Sequence, residues 1–178
     1  ILAENRVQEA RDKWPLIAEA MAQSGCEFHL VGHLQTNKSR EAVRLFDCIQ
    51  SVDSERLARV LDQQAREIGK IQRVLVEVNT SLELTKFGIE PEDALHLIEA
   101  VRAYKNLKLE GLMTIGPLTG GADAARAAFR RLRELRHLSE GGELLPELSM
   151  GMSGDYEIAI EEGATMVRVG TAIFGDRI

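Results

Sequence analysis

LSMGMSGD (148–155) and TMVRVGTAIFG (165–175), near the carboxyl end of the chain, are the two stretches that decide the fold. Each begins as a short apolar run, typical of a strand, and passes into small residues at Gly151, Ser153, Gly154, Gly170 and Thr171. Small residues let backbone N–H groups approach an anion closely, and a helix that begins there adds its positive end. The pair predicts a phosphate site, although each loop alone is also typical of an ordinary turn.

Strands and helices alternate along the whole sequence. Apolar runs predict strands, and apolar residues at helical spacing predict the helices between them. The predicted strands are 27–31, 46–52, 73–78, 107–115, 147–150 and 165–169, and the predicted helices are 7–22, 38–45, 55–68, 92–104, 122–138 and 156–162. Asp53 is a good cap for the third helix, Pro91 suits a first helical turn, and Gly163 suits a helix end. Alternation without a hairpin signal indicates parallel strands joined by right-handed crossovers, in a doubly wound sheet or a barrel.

Residues that could take part in binding or chemistry recur where the predicted strands end, and this favours the barrel. Active sites of (β/α)8 barrels form at the carboxyl ends of the strands, and the loops after the last two strands form the recurrent phosphate site. No GxGxxG follows a first strand, as a dinucleotide-binding doubly wound sheet would require. The positions concerned are His29, Gly32, Asn79, Met113, 149–153 and 168–171.

The number of units is smaller than a complete barrel requires. The sequence supplies six strand-and-helix units and a strand stub at 1–3 within 178 residues, whereas a complete barrel has eight strands in about 250 residues. We therefore expect one domain over 1–178, truncated at the amino end, with about one and a half units before residue 1.

Charge and composition exclude several classes of protein. A net charge of −6 argues against a nucleic-acid face, because phosphate backbones are held by clustered lysine and arginine. The nearest such cluster lies on the predicted helix 122–138, whose apolar stripe favours a solvent-facing helix surface. Its members are Arg126, Arg130, Arg131, Arg133 and Arg136.

Cysteine usage and hydropathy indicate a cytoplasmic protein without a membrane span. Cys26 and Cys48 lie in apolar segments, without a CxxC motif or histidines at metal-ligand spacing, and are interpreted as reduced core residues. No apolar run approaches the roughly 18 residues of a membrane span. We expect no metal site and no partner that is a nucleic acid or a membrane.

Several further motifs carry a resemblance to a known family. They are ENRVQEA (4–10), HLVGHLQTNK (29–38), VN (78–79), KFG (86–88) and GLMT (111–114), together with the two stretches quoted first. In this order and over nearly the whole chain they resemble the pyridoxal phosphate homeostasis protein family. The resemblance implies a barrel of the alanine racemase N-terminal domain type and pyridoxal 5′-phosphate (PLP) as cofactor.

The resemblance also implies a set of cofactor-binding residues. Ser153, Gly170 and Thr171 would hold the phosphate, Met152 would line that pocket, and Arg168 would face the pyridine nitrogen. Asn5 and His29 would belong to the pocket wall, with Asn79 and Met113 close by.

The residues alone leave other interpretations open. His29 is equally typical of a core histidine, Asn5 and Asp155 of helix caps, and Met113 and Met152 of core packing.

One feature of the family is missing from this sequence. Family members bind the cofactor aldehyde as a Schiff base through a lysine on the first barrel strand, in a Val-Ser-Lys type motif. None of the lysines here matches that position, and Lys38 and Lys86 match other family positions. Truncation before residue 1 is the favoured explanation, and noncovalent binding is the alternative.

Arg168 bears on whether such a cofactor would be used for catalysis. A pyridinium about 4 Å from a guanidinium is repelled by about 4 kcal/mol at an effective dielectric of about 20, which lowers the pyridinium pKa by roughly three units. The pyridine ring, without its proton, is then a weak electron sink. A two-base racemase also needs an opposing acid or base, and the tyrosines present are Tyr104, at a predicted helix end, and Tyr156, beside the phosphate loop.

Three functions follow from these considerations. We expect a monomeric, non-catalytic carrier or buffer of PLP that takes part in PLP homeostasis and supplies PLP-dependent apo-enzymes. The alternatives are a racemase-like or lyase-like enzyme that uses the same cofactor, and a barrel that binds another phosphorylated metabolite.

Overall fold

The computed structural model describes residues 1–83, 85–139 and 145–175, in which strands and helices alternate. The six predicted strands and six predicted helices are all present, and the stub at the amino end forms a further strand. The strands are β1 (Leu2–Glu4), β2 (Phe28–Leu30), β3 (Cys48–Val52), β4 (Gln72–Glu77), β5 (Leu107–Met113), β6 (Glu147–Met152) and β7 (Met166–Arg168). The helices are α1 (Val7–Ser24), α2 (Ser39–Leu45), α3 (Glu55–Glu67), α4 (Pro91–Ala103), α5 (Gly121–Leu138), α6 (Tyr156–Glu161) and α7 (Thr171–Phe174), with a 3-10 turn at Thr36–Lys38.

The strands form one parallel sheet in sequence order, from β1 to β7. Their carboxyl ends therefore lie at one edge, where the loops that follow the strands meet. The sheet curls strongly: Ser149 in β6 donates a hydrogen bond of 2.6 Å to Gln50 in β3, although these strands do not pair. This curvature, with helices outside, is the barrel type that the sequence predicts.

Alternation along each strand separates an outer core from a small inner one. The outer core lies between sheet and helices and includes Phe28, whose ring centroid lies 4.8 Å from that of Phe46 and 5.7 Å from that of Trp14. The inner core consists of Cys48, Leu75 and Met113. Polar side chains such as His29, Gln50 and Ser149 occupy other inner positions and bond to one another. The interior of the curled sheet is thus polar enough to build a site.

The local signals at helix ends are mostly confirmed. Pro91 occupies the first turn of α4, and Gly163 follows the end of α6 with a φ of 90°. The cap expected of Asp53 is wrong: the N-cap of α3 is Ser54, whose Oγ accepts from the Leu57 N–H at 3.3 Å. Asp53 instead accepts a hydrogen bond from the Ser54 hydroxyl.

The arginines of α5 do more than cover a solvent-facing surface. Arg126, Arg130 and Arg133 form ion pairs of 3.1, 3.5 and 2.8 Å with Glu162, which lies just after α6 and is nearly buried. The pKa of Glu162 is lowered although its burial acts to raise it, because the arginines stabilise the carboxylate. The cluster therefore joins α5 to α6, the helix that follows the first small-residue loop.

The two cysteines differ in burial. Cys48 is buried, and burial raises the pKa of its thiol to about 12, whereas Cys26 is half-buried just before β2. Both are free thiols. Within the described ranges, no helix combines the length and apolar character that crossing a membrane requires.

Candidate functional site

The two small-residue loops meet at the carboxyl edge of the sheet. Ser153 follows β6, and its Oγ accepts from the backbone N–H groups of Gly170 at 3.3 Å and Ala172 at 3.4 Å, in the loop after β7. Because β6 and β7 are paired parallel strands, their following loops lie side by side. Three polar groups from two loops thus converge at an exposed position.

The first loop is held in shape by close packing against α6. Gly151 has a φ of 90°, and a Cβ there would lie 2.5 Å from the Ala159 Cβ, so this position requires glycine. The Asp155 carboxylate accepts from the Met152 N–H at 2.6 Å and closes the turn. The loop is therefore set by the helix behind it.

The approach to the loops is open. A Cβ at Gly154 or Gly170 would meet no atom within 4 Å. Thr171, which begins α7, is exposed beside them. An anion has room to reach the N–H groups of this cradle, which is the fit that a phosphate requires.

Arg168 ends β7 on the inner side of the sheet, below the loops. Its Nη1 donates to Ser149 Oγ at 2.8 Å, and its Nη2 donates to the Thr114 carbonyl oxygen at 2.7 Å. Burial lowers the pKa of Arg168 to about 10, against the opposing effects of Glu77 and Asp155, so the guanidinium remains charged at neutral pH. The group is a fixed cation with a defined orientation.

Glu77 is a feature of the site that sequence reasoning missed. It ends β4 and is only 2% exposed, and its Oε2 has no hydrogen-bond partner among the described residues. Burial, and then repulsion from Asp53, raise the pKa of Glu77 to about 7, although Arg168 acts to lower it. The available signal was a charged residue between valines in a strand with buried residues on both faces.

His29 lies in the interior, in β2, and is fully buried. Its Nε2 lies 2.8 Å from Glu27 Oε2, and its Nδ1 lies 2.9 Å from Gln50 Nε2. Burial lowers the pKa of His29 although Glu27 acts to raise it. Both ring nitrogens are thus engaged by protein groups, as in a satisfied core histidine, and its place in a cofactor pocket wall stays a prediction.

Asn79 and Met113 are placed by their strand ends. Asn79 follows β4, where its Nδ2 donates to the Glu83 carbonyl oxygen at 3.1 Å and its Oδ1 accepts from Ser81. Met113 ends β5 and packs in the inner core. Met113 is adjacent in sequence to Thr114, which binds Arg168, whereas the amide of Asn79 is engaged within its own loop.

Asn5 follows β1, the first strand in the sheet order, whereas the two small-residue loops follow β6 and β7. It is exposed after β1, and it is not the N-cap of α1, which is Arg6. Gly32, after β2, allows the chains to approach there, because a Cβ would lie 2.1 Å from the Asn5 carbonyl oxygen. The structure therefore brings together Ser153, Gly170 and Thr171, with Met152 and Arg168 on the same two strands, whereas Asn5 follows the first strand in the sheet order.

A second pair of loops at this edge is tied together by side chains that sequence reasoning did not assign. Lys86 donates to the Gly116 carbonyl oxygen, and Glu83 Oε1 accepts from the Leu118 N–H at 3.1 Å. These contacts join the loop after β4 to the loop after β5. The KFG stretch thus has a structural role, since Lys86 belongs to it.

Comparison with known proteins agrees with this arrangement. The family model described as "Alanine racemase, N-terminal domain" matches residues 1–178. The pyridoxal phosphate homeostasis protein of Aquifex aeolicus is 44% identical over 99% of this chain and 77% of its own length, and that of Vibrio cholerae is 43% identical over 98% of this chain and 74% of its own. The chain belongs to the pyridoxal phosphate homeostasis protein family.

Solved structures support the family assignment and the fold. PipY of Synechococcus elongatus, described with PLP bound, is 38% identical, with a TM-score of 0.83 over 97% of this chain and 80% of that one. An alanine racemase of Clostridium difficile is 17% identical with a TM-score of 0.76, over 99% of this chain and 45% of that one, and shows the fold alone. The predicted fold, an α/β barrel of the alanine racemase N-terminal type, is confirmed.

Proposed function

We propose that this member of the pyridoxal phosphate homeostasis protein family binds PLP at the loops after β6 and β7 and holds it without catalytic turnover. The observation that carries the proposal is the cradle in which Ser153 Oγ meets the N–H groups of Gly170 and Ala172. The relatives' names and the PLP described with PipY support the choice of this phosphate compound over other phosphorylated metabolites.

Each residue of the set would have a distinct task. Ser153, Gly170 and Thr171 would bind the phosphate, since hydroxyl and backbone N–H groups donate to its oxygens. Met152 would pack beside them, and Arg168 would donate toward the pyridine nitrogen. His29, Asn79, Met113 and Asn5 remain proposed wall residues.

The charge of Arg168 supports holding rather than turnover. PLP supplies a reactive aldehyde and a ring that withdraws electrons when its nitrogen is protonated. Arg168 is a cation with a pKa of about 10, so it disfavours a proton on a nearby ring nitrogen. The protein would bind PLP and would disfavour the carbanion chemistry that amino-acid racemisation requires.

A racemase-like activity is the second candidate, and Glu77 is the observation that favours it. A buried carboxyl group with a pKa of about 7 is suited to proton transfer at neutral pH. Incubation with common L-amino acids and PLP in heavy water tests this candidate. Deuterium at the α-position would support it, and no exchange with any amino acid would exclude it.

The covalent link and the cellular setting belong to the proposal as well. Lys70 donates to the carbonyl oxygens of Val43 and Phe46, and Lys86 donates to that of Gly116, so both amines are engaged by backbone. We do not assign a Schiff base to any lysine of 1–178.

A cytoplasmic monomer that supplies PLP-dependent apo-enzymes remains our prediction.

PLP titration of the purified protein, followed by ligand absorbance and equilibrium dialysis, tests the binding site. Ser153→Ala should weaken binding about tenfold or more, because one hydrogen bond to a charged acceptor contributes about 1.5–3 kcal/mol. Ser24→Ala is the control, since Ser24 is exposed at the end of α1. Equal affinities of the two variants would contradict the site.

A further inference from the structure

A line of hydrogen bonds crosses the interior of the sheet from Arg168 to His29. Arg168 Nη1 donates to Ser149 Oγ at 2.8 Å, and the Ser149 hydroxyl donates to Gln50 Oε1 at 2.6 Å. Gln50 Nε2 then lies 2.9 Å from His29 Nδ1, and His29 Nε2 lies 2.8 Å from Glu27 Oε2. Four strands and the residue before β2 contribute one member each.

The chemistry of the two ends fixes the direction of the first and last bonds in this line. A guanidinium has donors and no acceptor, so Ser149 must accept from Arg168 and give its own proton to Gln50. A carboxylate only accepts, and Glu27 Oε1 also accepts a hydrogen bond of 2.7 Å from Arg73 Nη1. Between these ends, Gln50 turns its oxygen to Ser149 and its NH2 group to His29.

The surroundings of Gln50 agree with that orientation. The second proton of its NH2 group points to Met166 Sδ at 3.1 Å, and a thioether sulfur accepts but never donates. A flipped amide would place its oxygen against that sulfur and its nitrogen against Ser149, whose hydroxyl proton would then lose its acceptor on Gln50. His29 Nδ1 must then accept, so the ring is neutral with its proton on Nε2.

We propose that Gln50 is the positioning residue for Arg168. By accepting the Ser149 proton, it holds the serine lone pair toward the guanidinium, and through the same line it fixes His29 as the neutral Nε2–H tautomer. This role of Gln50 deepens the proposed function, because Arg168 is the group assigned to the pyridine nitrogen. It rests on the proposed function only in the test that uses PLP as the probe.

The first test needs no PLP, so it separates this inference from the proposed function. Nitrogen-15 NMR of the histidine rings, with the His29 signals identified by their loss in His29→Asn, reports which nitrogen carries the proton. We expect protonated Nε2 and unprotonated Nδ1 at neutral pH. A proton on Nδ1 would overturn the proposal.

Two variants show which end of the line sets the tautomer. Glu27→Ala removes the acceptor at Nε2 at a partly exposed position, where water can either donate or accept. The tautomer should persist in Glu27→Ala and become mixed when Ser149→Ala is added. Persistence in that double variant, or mixing in Glu27→Ala alone, would contradict control from Arg168.

Ser51→Ala, added to Glu27→Ala in place of Ser149→Ala, is the matched control. Ser51 is also fully buried, and its Oγ has no hydrogen-bond partner among the described residues. The tautomer should remain single in this variant.

The second test measures PLP affinity and distinguishes positioning from packing. Gln50→Met keeps the approximate volume and removes the acceptor for Ser149, so binding should weaken about tenfold. Gln50→Glu keeps an oxygen toward Ser149 and should restore most of the affinity. If Gln50 served only to fill space, Met would be tolerated better than Glu, and that order would refute the proposal. Failure of the unaltered protein to bind PLP would refute the proposed function and leave the NMR test to decide on the positioning role.

Discussion

Replacing Gly151 by alanine tests whether the small-residue loop after β6 depends on its contact with α6. A Cβ at position 151 would lie 2.5 Å from the Ala159 Cβ and 3.0 Å from the Tyr156 Cα. Neither atom is the end of a flexible side chain, so relief requires a shift of the loop or of the helix. The residue also has a φ of 90°, where side chains other than glycine are strained.

The expected loss of stability is the sum of two terms and a small correction. Left-handed backbone costs about 1–2 kcal/mol for an alanine, and overpacking costs about 1–3 kcal/mol. Alanine restricts the unfolded chain, which returns about 0.4–1 kcal/mol. We expect Gly151→Ala to lower the free energy of unfolding by about 1–4.5 kcal/mol, measured by urea denaturation at pH 7.

A matched control lies in the same loop. Gly154 has no atom within 4 Å of an added Cβ and does not have a left-handed φ, so Gly154→Ala should change the free energy of unfolding by about 0.5 kcal/mol or less. Ala159→Gly in the Gly151→Ala background removes the nearer contact and should show favourable coupling between the two sites. Equal midpoints for Gly151→Ala and Gly154→Ala would refute the packing argument.

Three further outcomes follow from charge and open space. In urea titrations, Glu77→Gln should stabilise the protein by up to about 3 kcal/mol at pH 8 and little at pH 4. The native pKa of Glu77 is raised from 4.5 to about 7, so the stability of the unaltered protein falls as pH rises through that window. Glu162→Gln should cost about 1–3 kcal/mol at pH 7, and the difference should shrink as pH falls below 4.5, because the lowered native pKa contributes stability only above that range. Gly170→Val should reduce PLP affinity at least about tenfold, because the valine side chain would cover the N–H groups. The unfolding midpoint of Gly170→Val should change far less than that of Gly151→Ala, since the added Cβ meets no atom within 4 Å. A tight-binding Gly170→Val variant would argue against the cradle.

The order of strands and the edge that carries the loops were predictable from sequence because they depend on local patterns. Short apolar runs, helical periodicity and small residues at 151–154 and 170–171 each indicate structure within a few residues of themselves. Parallel crossovers then place all strand ends together. The capping error at Asp53 has the same local origin, since Asp53 and Ser54 are both good caps and only the backbone distinguishes them.

The inner polar groups were not predictable, because they depend on curvature rather than on spacing. Gln50 and Ser149 are far apart in sequence and lie on strands that do not pair, yet their side chains meet at 2.6 Å. Glu77 is similar, since its raised pKa results from burial and from Asp53 in another segment. A pattern of alternating residues shows which side chains point inward and does not show which of them meet.

The curvature also explains how a guanidinium is tolerated at the inner end of β7. A buried cation needs hydrogen-bond acceptors and compensating charge. Arg168 donates directly to the Ser149 hydroxyl oxygen and the Thr114 carbonyl oxygen, while Glu77 and Asp155 act to raise its pKa. Because Ser149 is itself held by Gln50, the position of the cation is set by side chains on the opposite part of the sheet. In the proposed site, a charge that faces the cofactor ring would need a fixed position to have a constant effect on that ring, and the inner polar groups supply that constraint.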